Sequence, residues 1–321
     1  MKHNILSEYR KPLMGVAILL IMFYHTGLLS CGDIGVEVFF LLSGIGLFYS
    51  LNKNENIKSF YIRRIIRILP TYFVVVIPMA FIFRDQLPHG TINTIFQIDT
   101  IKGSNGFMTW WFIVMILFVY LIAPLIFRLS RCFRVSIIWL YICLGLLLIG
   151  LLFFDSYPIN GLFIYRLPVV LLAIPFGKFL YEKITFKGDN LLFIVFSISL
   201  PVLAVLLKSG HIIDTSRPVY FFLYYLSCIP LLFVMANLME FLDNRQFLKP
   251  TISVLSFLGS ITLELYLVHE YLCKPIASLV FSYWLWSAIL SIIIAIGIAY
   301  PLHILMNKLV KRVLIAISFS A

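Results

Sequence analysis

"PLMGVAILLIMFYHTG", residues 12–27, is apolar almost throughout, follows directly on Arg10 and Lys11, and carries one imidazole, His25. Extended to residue 30 it approaches the roughly 20 residues a helix needs to cross a bilayer. The imidazole has two readings: a polar tip tolerated near a membrane surface, or a functional group. "LLSC" at 28–31 resembles a lipoprotein cleavage box. A second apolar run begins at once, at residue 34, and no soluble stretch follows, so the segment reads as a retained helix rather than a signal peptide.

The rest of the chain extends this pattern. Of 321 residues, 62% are hydrophobic and only 12% charged, and the mean hydropathy is +1.02. A soluble domain has no use for so much apolar surface, so the class is a polytopic membrane protein. Apolar runs recur at 13–30, 34–51, 68–84, 110–127, 135–154, 163–181, 190–207, 219–239, 252–272 and 283–307. The expected fold is therefore all-α, with about ten transmembrane helices in a single integral-membrane domain over 1–321 and no appended soluble domain.

The net charge of +11 does not point to nucleic acid, because the cations form short clusters between apolar runs rather than one basic face. With the N-terminus placed in the cytoplasm, nineteen of the 25 Lys and Arg fall on inner segments and six on outer ones (Arg84, Lys102, Arg166, Lys208, Arg217 and Lys274). That bias is the positive-inside signature. It predicts a multi-pass protein of a bacterial-type cytoplasmic (plasma) membrane with both termini cytoplasmic. The five cysteines show no metal-binding spacing. They read as small buried hydrophobes, with a Cys31–Cys273 bridge left open. The longest polar interval, 85–109, is either a functional loop over the outer face or a plain connection.

Polar groups inside apolar runs are costly and mark function by default. Lys11 and His25 stand about 40° apart on one helical face and about 20 Å apart along its axis. Reflecting His25 through the turn near 30–33 brings Glu37 to the same depth. A carboxylate there would orient the imidazole and fix its tautomer. In "SITLELYLVHEYL", 260–272, His269 also lies near an outer helix end, with Glu264 about 7.5 Å deeper. The loop "SFYIRRIIRILPTY", 59–72, places Arg63, Arg64 and Arg67 on one face. Guanidinium forks suit a polyphosphate, and anionic lipid is the competing ligand.

Together, "LMGVAILLIMFYH", "GVEVFFLLSGIGLF", "FYIRRIIRILPTY", "WWFIVMILFVYLIAPL" and "SITLELYLVHEYL" resemble the acyltransferase-3 family of integral-membrane O-acyltransferases, over about residues 9–310. The resemblance implies an acyltransferase, transferring groups other than aminoacyl groups. It moves an acyl group, usually acetyl from acetyl-CoA, to a hydroxyl of an extracytoplasmic or lipid-linked envelope glycan. Acyl-CoA is then a donor substrate, and no tightly bound cofactor or metal is implied. The family's first-helix His matches His25, and its Arg-x-x-Arg matches Arg64 and Arg67. Its acidic residue matches Glu37, and its Ser-Gly matches Ser43 and Gly44. Its basic first-helix position is Met14 here, with Lys11 one turn earlier on the same face. On this reading Arg63, Arg64, Arg67 and Lys11 hold the CoA phosphates. His25 is the general base on the acceptor hydroxyl, or is itself acylated, and Glu37 orients it. Trp110, Trp111, Ser43, Glu264 and His269 are candidates for the acceptor. A polar-solute transporter or exporter using His25, Glu37 and His269 as a proton relay is the alternative class.

Overall fold

The computed structural model describes residues 5–102, 110–132, 145, 166–182, 191–209, 218–280 and 283–319. No strand occurs among them. The helices are α1 (Ile5–Glu8), α2 (Arg10–His25), α3 (Ile34–Lys53), α4 (Ile57–Ile82), α5 (Thr91–Phe96), α6 (Ile98–Lys102) and α7 (Trp111–Cys132). They continue with α8 (Leu167–Tyr181), α9 (Leu191–Ser209), α10 (Pro218–Asp243), α11 (Lys249–Ser260), α12 (Thr262–Val268), α13 (Lys274–Val280) and α14 (Trp284–Phe319). Helices are what such sequence must form in lipid, where every backbone N–H and C=O needs an internal partner.

Each expected apolar run coincides with a helix except 135–154, which apart from residue 145 lies outside the described residues. Five helices, α3, α4, α7, α10 and α14, are long and apolar enough to span a membrane. Lys249–Ser260 and Thr262–Val280, separated by a break at Ile261, would make a sixth. The protein is thus a multi-pass membrane protein. The described residues support five or six spans, and the expected count of ten is not reached among them.

Packing divides the chain into two units: Met1–Tyr24, Leu29–Lys53 and Ile122–Ser260, and His25–Leu28, Asn54–Leu121 and Ile261–Ala321. In the first, α8 packs along α3, and α9 along α10. Small residues set these contacts. A Cβ on Gly44 would meet the Ala173 backbone, and one on Gly177 would press on Phe48 and Ile45. A Cβ on Gly15 would strike the Leu255 carbonyl, and one on Gly259 the Lys11 carbonyl, so α2 and α11 cross backbone to backbone. This is the small-residue packing that substitutes for hydrophobic driving force in lipid. Arg10 reaches across to donate from Nε to the Leu42 carbonyl at 3.0 Å. Cys31 and Cys273 are both free thiols, so the bridge left open by the sequence does not form. Burial and the Asp33 carboxylate push the Cys31 thiol up, which keeps it protonated at neutral pH.

In the second unit α12 and α14 pack on α4. The polar interval opens on a 3₁₀ turn, Arg84–Gln86, followed by two short helices, α5 and α6, fastened to this unit. Gln97 sits in the left-handed region at φ 53°. Its side-chain oxygen accepts from Thr100 Oγ1 at 2.9 Å and from the Trp110 N–H at 2.8 Å. Asp99 accepts from Asn93 Nδ2 at 3.0 Å and contacts His89 Nδ1 at 3.0 Å. Residues 103–109 of that interval lie outside the described residues.

Candidate active site

His25 is the last residue of α2, and Gly27, in the left-handed region at φ 79°, turns the chain away just beyond it. Helix ends commonly close this way because glycine has no Cβ to clash. By its contacts His25 belongs to the second unit. There its Nδ1 lies 2.9 Å from Glu270 Oε2, with side-chain exposures of 22% and 34%. The ring of His269 stands edge-on to His25, with centroids 5.0 Å apart.

A local irregularity delivers both partners. Residues His269–Cys273 form a π-turn between α12 and α13, closed by the Lys274 N–H on the His269 carbonyl. Pro275 explains it: proline has no N–H, and its ring clashes with the carbonyl four residues back, here Tyr271, so the helix dilates rather than continuing in α register. π-turns of this kind recur at functional sites. Trp110 braces the segment. It donates from Nε1 to the Leu267 carbonyl at 3.3 Å and packs edge-on against Tyr271 and Tyr72.

Nδ1 of His269 bonds the Leu265 and Tyr266 carbonyls at 3.0 and 2.9 Å. Carbonyls only accept, so Nδ1 carries the proton and Nε2 keeps its lone pair. That atom is buried and has no hydrogen-bond partner among the described residues. His25, His269 and Glu270 each offer a donor atom, all within 4.8 Å of one another, a set that could also hold a metal ion.

The residues singled out by sequence distribute differently from expectation. His25 and His269 come together. Glu37 is not the carboxylate held against His25. It is fully buried in the first unit, where Oε1 accepts from Arg166 Nε at 2.9 Å. Depth along a hairpin fixes a residue's height but not the direction it faces, which is why the matched level did not yield the partner. Glu264 accepts from His303 Nδ1 at 3.0 Å, and Asn307 donates to the other ring nitrogen at 2.7 Å.

Arg63, Arg64 and Arg67 lie in the first half of α4. Arg63 and Arg67 are exposed, and Arg64 rests over the rings of Phe60 and Tyr120. Lys11 is exposed, whereas its neighbour Arg10 is the cation that turns into the first unit. Ser43 is half-buried beside Gly44 on α3. Trp111 is half-buried at the start of α7, and Trp110 is 1% exposed, so its ring faces are spent on protein neighbours. Sequence reasoning missed Glu270, Arg166 and His303. The cue for Glu270 was the proline five residues on.

A family model described as an acyltransferase domain matches residues 13–304. No curated protein and no solved structure matches the chain. The match covers most of both units and includes His25, His269 and Glu270. With an imidazole held by a carboxylate at a helix end of a multi-pass membrane protein, it closes the question of kinship: the chain belongs to the acyltransferase-3 family and is a membrane acyltransferase.

Proposed function

We propose that the protein moves an acetyl group from cytoplasmic acetyl-CoA to a hydroxyl of an envelope glycan or lipid-linked sugar, with His25 as general base and Glu270 as the group that positions it. The observation that carries this reading is the His25–Glu270 contact of 2.9 Å beside the His269 ring. A carboxylate accepting from Nδ1–H leaves the lone pair on Nε2 of His25, the tautomer a base requires.

The step balances simply. Nε2 of His25 takes the hydroxyl proton as the oxygen attacks the thioester carbonyl. The tetrahedral intermediate expels CoA thiolate, and the imidazolium returns its proton to the sulfur. Glu270 stabilises the imidazolium formed in between. Nε2 of His269 accepts a hydrogen bond from a second donor on the acceptor, which relieves the desolvation cost of a buried unpaired nitrogen. Arg64, held over Phe60 and Tyr120, and the exposed Arg63 and Arg67 receive the nucleotide phosphates of CoA. The charge bias of the segments supports a plasma-membrane protein with both termini cytoplasmic, donor side in and acceptor side out. Family membership weighs against the proton-relay transporter.

The test is His25→Ala in purified, membrane-inserted protein, with transfer followed from labelled acetyl-CoA to isolated envelope glycan. Loss of transfer with normal insertion is expected, and retained transfer would sink His25 as the base.

A further inference from the structure

Within the second unit a cavity of about 290 Å³ is lined by Thr26, Lys274, Ser278, Trp284, Ser287, Ala288 and Ser291. It adjoins the candidate active site along the chain. Thr26 follows His25 in the chain, and Lys274 stands four residues beyond Glu270 and closes the π-turn. The chemistry of the lining is specific. It combines one ammonium, four hydroxyls and an indole, with Ser287 and Ser291 one turn apart on α14. Ser291 and Ala288 are buried while Lys274 and Trp284 are exposed, so the cavity has one hydroxyl on an otherwise apolar floor and an open mouth carrying the ammonium and the indole. Lys274 forms no ion pair within 4 Å among the described residues; its charge is felt at a distance by the Glu270 carboxylate, which is in contact with His25. On the topology read from the sequence, Lys274 is also one of six cations on the outer segments, where the positive-inside rule disfavours them.

We propose that this cavity is the acceptor subsite and that it takes a sugar residue carrying an anionic group, a carboxylate or a phosphate. The inference rests on the acyltransferase reading above. Trp284 stacks on the apolar face of the ring, the serine and threonine hydroxyls bond its hydroxyls, and Lys274 meets the anion. The volume lies at the small end of ligand pockets, roughly 300–1,000 Å³, which suits a single sugar residue rather than a longer oligosaccharide.

The test measures binding separately from transfer. Purified wild-type protein is titrated with glucose, glucuronate and glucose 1-phosphate, following tryptophan fluorescence, with Trp284→Phe to assign the signal. The expected result is about tenfold tighter binding of at least one anionic sugar than of glucose, the size of one solvent-accessible charge-assisted contact. The two anionic probes tell carboxylate from phosphate. Lys274→Gln abolishes the preference and Lys274→Arg keeps it. Equal binding of all three sugars, or a preference that survives Lys274→Gln, overturns the proposal. Labelled transfer from acetyl-CoA to isolated envelope glycan, measured on the same preparation, reports on the reaction itself: charge-selective binding without transfer defeats the proposed mechanism and the cavity's role as acceptor subsite, and leaves a binding site for anionic sugars.

Discussion

Replacing Glu270 by Gln asks which carboxylate serves His25. The amide keeps the shape of the side chain and an oxygen that can accept from Nδ1–H, but it removes the charge facing the developing imidazolium. The contact is 2.9 Å, within the range of charge-assisted hydrogen bonds, and both side chains are partly open to solvent at 22% and 34%. Such bonds are worth about 1.5–3 kcal/mol, and the partial exposure places this one near the lower half of that range. A loss of about 2 kcal/mol corresponds to roughly a thirtyfold fall in rate. The assay is steady-state transfer from labelled acetyl-CoA at fixed pH. Because the interaction strengthens only as charge forms on the ring, kcat and kcat/KM should fall together while KM for both substrates holds. Glu270→Ala should cost more, since it also frees the ring to rotate and change tautomer. Activity of Glu270→Gln within about threefold of wild type would refute the assignment, as would a loss confined to KM.

The first unit makes the opposite prediction for Glu37. Glu37→Ala removes the carboxylate that accepts from Arg166 Nε in a buried site, leaving Asp33 as the nearby negative charge, and should destabilise the protein by about 3 kcal/mol, seen as a lower thermal midpoint in detergent. The double change Glu37→Met with Arg166→Met should recover much of it. On α4, Arg64→Ala and Arg67→Ala should raise KM for acetyl-CoA with kcat nearly unchanged, checked by initial rates over donor concentration; an effect on kcat alone speaks against phosphate docking.

The helices were legible because a bilayer imposes a coarse rule, apolar runs of fixed length, and wherever residues are described the runs coincide with helices. His269 beside His25 was legible for a similar reason, since the topology read from the sequence put both near helix ends on one side. What the sequence withheld was azimuth. Glu37 and Arg166 are 129 residues apart, and nothing local in either segment reveals that they meet. Glu270 was passed over because a regular helix through 262–280 gives no reason to prefer it over Glu264. Only the dilation before Pro275 aims His269 and Glu270 together. Lys11 was singled out by its spacing to His25, but the cation that turns into the unit is its neighbour Arg10, which wraps to the Leu42 carbonyl across Gly46, where only a hydrogen stands in its way.

The π-turn at His269–Cys273 is one residue more than an α-helix needs to cover the same turn. Deleting a single residue within it would remove the extra residue of the wide turn and keep the segment's hydrophobicity and its span. The same deletion would rotate Glu270 and His269 out of phase with Lys274 and everything after it. A chain of this kind could therefore lose its chemistry while still inserting and packing, and the lesion would show in an alignment only as a gap of one position inside a conserved-looking hydrophobic run. Length at this point, more than residue identity, separates a working site from an inert copy of the same fold.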